Sequence, residues 1–307
     1  MKRVLITGVT GLVGDGICRY FLNNNWDVFG TSRRGIISQH PRFFPIKLEL
    51  GSNNNLDFLN EHLPFQAVVH NAAKLPHSLL NDEDIDNYYH CNVNGTRYLL
   101  DWAEGSKIKT FIYISSTGNI RPKNGDFKEE CPLNPNPNHY HISKAMGEML
   151  CRAYNEMGLN TVILRVSAPY GYVSNKSVIS KFIQLGEQNK KIELWGTGSR
   201  SQVFTFVEDI GYACRLATEN PSVNDIYNIA GNESITMNEL ANIVIDTIPN
   251  TRSKIFFSNM KDPQEGQKRN ISNNKAKQEL NFEPQFNLLA GIEKIIKGKE
   301  KPFWSFI

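Results

Sequence analysis

Three side-chain types in this sequence could together move a proton at a carbon–oxygen bond: a phenol, an ammonium and a hydroxyl. Tyr140 and Lys144 are four residues apart at the start of a predicted helix, so they lie on one face, one turn apart. A free tyrosine has a pKa of about 10, and a neighbouring ammonium lowers it by stabilising the phenolate. Ser115-Ser116-Thr117 supplies hydroxyls directly after a predicted strand. This set predicts acid–base chemistry on an alcohol or a carbonyl.

Three glycines near the N-terminus predict a phosphate-binding turn. Gly8, Gly11 and Gly14 are spaced by three between an apolar run and a predicted helix. The first glycine permits a tight turn, the second lets backbone amides approach a pyrophosphate, and the third lets the helix pack against the sheet. The helix N-terminus adds partial positive charge. The sequence therefore predicts a nicotinamide dinucleotide that gives or takes a hydride.

The end of the second predicted strand bears on which dinucleotide is bound. NAD sites usually carry a carboxylate there, on the ribose 2′-hydroxyl. This chain has Ser32, Arg33 and Arg34 instead. Arginine binds phosphate through charge-assisted hydrogen bonds, so this segment favours NADPH, with NAD still possible. The alternative is that the two arginines are only solvated.

Alternating strands and helices must position these groups. Such alternation indicates a doubly wound parallel Rossmann sheet with ligands at the carboxyl ends of its strands. We predict a dinucleotide-binding domain over residues 1–168. The rhythm changes after that, which predicts a smaller C-terminal α/β substrate lobe over 169–307 with segments near 203–231 returning to the main sheet. The predicted strands are 4–6, 27–31, 67–70, 110–114, 161–164, 203–207 and 227–230, and the predicted helices are 17–22, 85–104, 141–156, 178–188 and 237–248.

Composition excludes several classes of protein. The 307 residues carry 34 basic and 31 acidic side chains, and no basic run suits a nucleic acid. The five cysteines form no Cys-x-x-Cys pair, so neither a zinc site nor a disulfide framework is predicted. The sequence contains no apolar run long enough to cross a bilayer and no secretory signal pattern. We therefore expect a cytoplasmic protein with no metal and no membrane partner.

Taken together, these motifs closely resemble the extended short-chain dehydrogenase/reductases, the NAD-dependent epimerase/dehydratase family. The resemblance covers nearly the whole chain. Its marks, besides the glycine turn and the Tyr140–Lys144 pair, are Glu49-Leu50, His70 to Ala73, Asn92 to Thr96, Leu164-Arg165, Pro169 to Gly171, Phe206 to Asp209, and Lys275 to Pro284.

The resemblance implies a role for individual residues. The third catalytic residue beside Tyr140 and Lys144 falls on Thr117, or on Ser116 if the register is off by one. The substrate would be a nucleotide-diphosphate sugar, and the protein would dimerise through a four-helix bundle of the helices near 85–104 and 141–156. The implied cofactor contacts are Gly8, Thr10, Gly11, Leu12, Val13, Ser32, Arg33, Arg34, Glu49, Leu50, Asn71, Ala72, Ala73, Asn92, Tyr140, Lys144 and Pro169, and the implied substrate contacts are Lys74, Ser116, Thr117, Ala168, Arg200, Gln202 and Arg269.

Two departures from the family concern the reaction. Sugar 4,6-dehydratases carry an Asp-Glu pair after the catalytic hydroxyl, where this chain has Gly118 and Asn119, so we do not expect dehydration. Ile120-Arg121-Pro122 stands where many epimerases have Val-Tyr-Gly, and Ala168 stands where an Asn often contacts the substrate.

Two further departures concern the diphosphate. Gln202 and Asp262 stand where the family usually has arginines. A buried diphosphate without counter-charge would cost on the order of several kcal/mol. We expect either that Arg200, Lys268 or Arg269 substitutes or that the substrate is not a nucleotide sugar.

Four functions are compatible with these residues. The first is NADPH-dependent reduction of a nucleotide-linked 4-keto-6-deoxysugar, with Tyr140 as the acid. The second is a nucleotide-sugar 4-epimerase that keeps NAD bound, and the third is a reductase of small carbonyl compounds. The fourth, from another class, is a non-catalytic NAD(P)-sensing regulator, which has no need of the Tyr140–Lys144 pair.

Overall fold

The computed structural model of the chain describes residues 2–51, 55–76, 85–173, 177–298 and 303–307. Seven strands form one parallel sheet: β1 (Arg3–Thr7), β2 (Asp27–Ser32), β3 (Phe43–Lys47), β4 (Ala67–His70), β5 (Phe111–Ser116), β6 (Thr161–Val166) and β7 (Ile226–Ile229). Their order across the sheet is β7-β6-β5-β4-β1-β2-β3. The predicted doubly wound parallel sheet is therefore confirmed.

The described helices are α1 (Leu12–Asn23), α2 (Ile85–Tyr88), α3 (Gly95–Gly105), α4 (His139–Glu156), α5 (Val178–Glu187), α6 (Val207–Glu219), α7 (Met237–Thr247), α8 (Asn274–Leu280) and α9 (Leu288–Lys297). A π-helical turn over Tyr89–Asn94 joins α2 to α3, so the predicted helix over 85–104 is one rod with a widened turn. Short 3-10 turns occupy Asp57–His62 and Thr117–Asn119.

Both faces of the sheet are covered, and alternate side chains of each strand enter different cores. Val4 and Ile6 of β1 pack with Ile17 of α1 and Ile210 of α6 on one face. Leu5 points to the opposite face, into the core that α3 and α4 cover. Burial on both faces explains why β1 has an uninterrupted apolar run, Val4-Leu5-Ile6.

The second half of the chain builds a third core from α5, α7 and α9. Within this half, β7 joins the main sheet beside β6. Shorter strands form two-stranded pairs outside it, and the division near residue 169 stays a prediction. These pairs are Ile192–Leu194 with Ile255–Phe257, Ser201–Val203 with Ser234–Thr236, Thr205–Phe206 with Pro169–Tyr170, Asn270–Ile271 with Asp126–Phe127, and Trp304–Phe306 with Ile36–Ser38.

Several elements differ from the predictions, and helices α6, α8 and α9 were not predicted. The single strand predicted over 203–207 is wrong at its end, because α6 begins at Val207. Acidic residues in the first turn, Glu208 and Asp209, favour a helix N-terminus there. Strand β3 was not predicted. Of the predicted polar loop over 51–55, positions 52–54 lie outside the described residues.

In the described part of the chain, every helix is too short or too polar to span a bilayer.

Candidate active site

Helix α4 is anchored so that its first turn meets the end of β5. The Asn138 side chain caps the helix by accepting a hydrogen bond from the backbone N–H of His141 at 2.9 Å. Two turns into the helix, the carboxylate of Glu148 accepts hydrogen bonds from Ser115 at 2.5 Å and from Asn119 at 2.9 Å. Ser115 and Asn119 flank Thr117, so the start of α4 and the predicted catalytic hydroxyl share one corner of the fold.

The same carboxylate is held by a buried ion pair that the sequence analysis did not identify. Arg165 of β6 donates to Glu148 at 2.8 Å, and both side chains are almost completely buried. Arg165 also donates to the backbone carbonyl of Glu129 at 3.2 Å. Removing one partner would leave an uncompensated buried charge, so this pair fixes the position of α4 against the sheet. The sequence feature that could have revealed this ion pair was an arginine inside an apolar strand.

The three predicted catalytic residues belong to the elements that meet at this corner, Thr117 to the turn after β5 and Tyr140 and Lys144 to the first two turns of α4. Thr117 and Lys144 are buried, and the ammonium of Lys144 lies 3.9 Å from the centre of the Tyr113 ring. Burial lowers the pKa of Lys144 to about 8. Burial also raises the pKa of Tyr140 to about 12, the opposite of the lowering expected from Lys144. Among the described residues, no side chain hydrogen bonds to the hydroxyl of Tyr140.

The three glycines of the turn do three different things. Gly8 has a φ of +72°, and a Cβ there would lie 2.7 Å from the Cα of Ala72. A Cβ at Gly14 would lie 2.2 Å from the carbonyl oxygen of Gly8, so α1 passes close to the turn. Gly11, the N-cap of α1, would bring its Cβ no closer than 3.5 Å to another group. Gly11 therefore leaves room outside the helix N-terminus, where a phosphate would approach.

A network of hydrogen bonds beside the glycine turn joins the end of β1 to the end of β4. Thr7 accepts from the backbone N–H groups of Asn71 and Ala72, at 3.1 and 3.0 Å, and donates to Nδ1 of His70 at 2.8 Å. Thr96 donates to a backbone carbonyl and therefore accepts from Nε2 of His70, at 2.9 Å. Burial lowers the pKa of His70 to about 3, so the ring stays neutral and holds this arrangement.

The end of β2 offers groups for the adenosine ribose. Ser32 is buried, and its hydroxyl has no hydrogen-bond partner in the described part of the chain. Arg33 and Arg34 are exposed, and the guanidinium of Arg34 lies 3.8 Å from the centre of the Phe306 ring. An orphaned hydroxyl beside an open glycine turn fits a dinucleotide, since buried polar groups otherwise find partners.

The other predicted cofactor contacts occupy varied positions. Asn92 is buried, accepting from the backbone N–H of Lys74 at 2.7 Å and donating to Ser143 at 2.9 Å, so its amide joins two segments of the protein. Leu50 is buried and Glu49 is exposed. The remaining positions, Thr10, Leu12, Val13, Asn71, Ala72, Ala73 and Pro169, are half-buried.

A cavity of about 410 Å³ lies beside this corner, between β5, β6 and the second half of the chain. It brings together six of the seven predicted substrate contacts, although they are spread over more than 150 positions of the sequence. Lys74 is not among its lining residues. The lining residues are Ser116, Thr117, Gly118, Asn136, His141, Val166, Ala168, Pro169, Tyr170, Ser177, Val178, Ile179, Arg200, Gln202, Phe204, Met237 and Arg269.

Two arginines line this cavity, and only one of them brings a charge that no carboxylate of the described residues neutralises. Arg200 pairs with Asp262, with 3.0 Å between Nε and Oδ2, so the acid found in place of a family arginine neutralises a neighbour. Arg269 has no carboxylate partner among the described residues. Burial and the nearby charge of Arg200 lower the pKa of Arg269. Lys268, the other candidate, is exposed and is not a lining residue.

The sequence analysis missed His141 and Asn136 as cavity residues. His141 directly follows Tyr140, and its ring packs edge-on against the Tyr140 ring with 4.9 Å between centres. The only sequence signal was its position, because a residue next to a site tyrosine in the first turn of a helix stays near that site.

Comparison with known proteins is consistent with this geometry. The profile of the NAD dependent epimerase/dehydratase family matches residues 4–230. The UDP-glucuronate 4-epimerase of Thermodesulfobacterium geofontis is 24% identical, covering 98% of this chain and 97% of its own. The dTDP-D-glucose 4,6-dehydratase of Bos taurus is 27% identical, covering 98% and 90%.

Among solved structures, the UDP-glucuronic acid 4-epimerase from Bacillus cereus in complex with UDP-glucuronic acid and NAD superposes with a TM-score of 0.82. It is 23% identical and covers 96% of this chain and 99% of its own. This likeness establishes the shared fold.

Proposed function

Since the chain belongs to the NAD dependent epimerase/dehydratase family of enzymes, we propose that it transfers a hydride between a nicotinamide dinucleotide and a carbon of a nucleotide-diphosphate sugar. The observation that carries this proposal is the single cavity that Thr117 shares with Arg200 and Arg269. A hydroxyl beside the predicted acid–base pair meets guanidinium groups of the kind that bind a diphosphate.

Each of the predicted catalytic residues then has a role in the reaction. The bound dinucleotide supplies or accepts the hydride. When a carbonyl is reduced, the Tyr140 hydroxyl gives its proton to the carbonyl oxygen, and Thr117 hydrogen bonds to that oxygen. Burial raises the pKa of Tyr140 to about 12, so the phenol is protonated at neutral pH but is a weaker acid than a free tyrosine, and proton transfer needs a positive charge that stabilises the phenolate. The Lys144 ammonium provides the positive charge that stabilises the phenolate left behind.

The finer proposal is NADPH-dependent reduction of a 4-keto-6-deoxysugar. Its support is the set of Ser32, Arg33 and Arg34 at the end of β2, without a carboxylate for a ribose hydroxyl. Neither Gly118 nor Asn119 offers a carboxylate for dehydration, and the Asn119 amide is bound to Ser115 and Glu148. The test is loss of the nicotinamide absorbance when NADPH and keto-sugar nucleotides are mixed with the protein. Failure to consume NADPH with every keto sugar would reject it.

The second candidate is a 4-epimerase that keeps its cofactor oxidised. It is supported by the similarity to UDP-glucuronate 4-epimerases, one of which binds NAD in its solved structure. Purified protein that carries NAD and interconverts two sugars without net oxidation would select this candidate over the reductase. Reduction of a small carbonyl compound is less well supported, because it was motivated by missing arginines and Arg200 and Arg269 line the cavity.

The nucleotide can be found by thermal-shift measurements with UDP, dTDP, GDP and CDP, each with NADPH or NAD present. A ligand that binds only the folded state raises the melting temperature by mass action. We expect one nucleotide to give a clear shift in the wild type. No shift with any of the four would reject a nucleotide-sugar substrate.

A dimer formed through α2, α3 and α4, in the cytoplasm, remains part of the proposal. Met146 and Met149 of α4 are 38% and 61% exposed, which suits a covered helix face. Met149→Glu should shift the protein from dimer to monomer in analytical ultracentrifugation. Met157→Glu, at an equally exposed position just after α4, is the matched control. A wild type that sediments as a monomer would reject the dimer.

A further inference from the structure

His141 occupies the space that a side chain at position 118 would need. A Cβ at Gly118 would lie 2.2 Å from Nε2 of His141 and 2.4 Å from its Cδ2. Both residues line the cavity, and Gly118 is next to Thr117. The glycine and the histidine therefore form one arrangement, in which an imidazole from α4 replaces a side chain of the 117–119 turn in the cavity wall.

The helix cap determines which ring nitrogen carries the proton. Asn138 Oδ1 accepts from the backbone N–H of His141 at 2.9 Å, which fixes the orientation of the amide. Nδ1 of the His141 ring lies 3.0 Å from the same oxygen, so Nδ1 must be the donor. Nε2 then carries the lone pair, and it is the nitrogen next to Gly118.

The surroundings keep that lone pair free. Burial, together with the positive charge of Arg269, lowers the pKa of His141 to about 4, so the ring is neutral at physiological pH. No described side chain hydrogen bonds to Nε2. An acceptor in a half-buried position gains free energy when a ligand donates to it.

We propose that Nε2 of His141 accepts a hydrogen bond from a hydroxyl group of the sugar and so helps to select the substrate. This inference rests on the proposed function, because it places the sugar between Thr117 and the two arginines. His141 lies in this part of the cavity, because it adjoins Gly118 and because the charge of Arg269 lowers its pKa. The preferred sugar carries a hydroxyl where His141 reaches it, and a group that cannot donate a hydrogen bond is disfavoured there.

Calorimetric binding of sugar nucleotides and bare nucleotides tests this inference. The probes are the glucose conjugates of UDP, dTDP, GDP and CDP beside the four bare nucleotides, with NAD present. His141→Phe removes the acceptor, and His141→Gln is the matched variant that can return an oxygen near the position of Nε2. We expect His141→Phe to weaken binding of the sugar nucleotide about tenfold, to leave the bare nucleotide unchanged, and to be partly rescued by His141→Gln.

Melting temperatures show whether each variant is folded, and a direct measurement covers the case in which His141→Phe is not. The ¹⁵N resonance of Nε2 in the wild type should move when the sugar nucleotide binds and should move much less with the bare nucleotide. Equal weakening of both ligands, or no weakening and no resonance shift, would overturn the inference and leave the proposed function standing. A wild type that binds none of the conjugates and none of the bare nucleotides would reject both.

Discussion

The glycine turn and the cavity offer different kinds of surface to a ligand. Around the glycine turn, the binding surface is mostly backbone, and the polar side chains beneath it hydrogen bond to one another, as His70 does with Thr7 and Thr96. In the cavity, the binding surface is made of side chains from distant segments. Among the described residues, Arg269 has no carboxylate partner and Nε2 of His141 has no hydrogen-bond donor.

This difference concerns which of the two surfaces a single substitution can alter. A backbone surface is fixed by φ angles and close packing. A side-chain surface changes with single substitutions. We therefore expect changes in the first region to alter folding and cofactor binding, and changes in the second to alter substrate binding alone.

The largest effect should come from the corner where the two regions meet. Tyr140→Phe removes the proton donor, so turnover should fall about 10²- to 10⁴-fold while cofactor affinity is retained. Tyr154→Phe, about three turns beyond Lys144 on the same helix, is the matched control, because the Tyr154 hydroxyl binds Asp101 at the surface. Steady-state kinetics and cofactor titration measure both. Full turnover in Tyr140→Phe would remove this residue from the mechanism.

The glycine turn offers a pair of variants with opposite expectations. Gly8→Ala should cost about 2–5 kcal/mol of the free energy of unfolding, because its φ is positive and its Cβ would overlap Ala72. Gly11→Ala should change stability by less than about 1 kcal/mol but weaken dinucleotide binding, because its Cβ enters the space left for a phosphate. Denaturant unfolding and calorimetry separate the two, and a Gly11→Ala protein with unchanged cofactor affinity would contradict this account of the turn.

In the cavity, Arg269→Gln should weaken the cognate nucleoside diphosphate roughly 10- to 100-fold, the range of a charge-assisted hydrogen bond. The affinity for the dinucleotide should stay the same. The adjacent Lys268→Gln is the matched control, because Lys268 is exposed and outside the cavity. An equal loss in both variants would mean that general surface charge, and not the cavity, attracts the nucleotide.

The smallest effect concerns His70 and pH. Its folded pKa of about 3 is below the ordinary 6.5, so the unfolded chain binds the extra proton between these values, and stability falls as the pH drops through this window. His70 should contribute about 1.4 kcal/mol per pH unit once the pH is well below 6.5. Chemical denaturation between pH 7 and pH 5 gives the slope of the free energy of unfolding against pH. This slope should be shallower in His70→Gln than in the wild type, and it should be unchanged in His90→Gln, since His90 is exposed. Equal slopes in all three proteins would show that His70 takes up its proton in the folded state.

Much of the first region was predictable from local sequence. Short segments rich in apolar and β-branched residues predicted six of the seven sheet strands, and the glycine spacing predicted the turn before α1. The errors have local causes too. The β-branched and aromatic run that ends at Val207 favours a strand, and the helical spacing of Ile210, Ala213, Cys214 and Ala217 beyond it was overlooked.

The cavity was predictable only in part. Resemblance to a family pointed to Arg200 and Arg269. Their positions in the sequence, however, do not show which charged groups lie beside each side chain. The pairing of Arg200 with Asp262 and the raised pKa of Tyr140 depend on burial and on neighbours distant in sequence. The placement of His141 against Gly118 depends on how α4 packs against β5.

The sequence by itself determined the parallel sheet, the glycine turn and the spacing of Tyr140 and Lys144, because each follows from periodicity or backbone sterics over a few neighbouring residues. The tertiary structure alone decided which side chains meet in the cavity, which charges are neutralised and which residue Nε2 of His141 faces. Those properties arise from distances between segments that are far apart in the chain, and electrostatic energies depend on such distances and on burial.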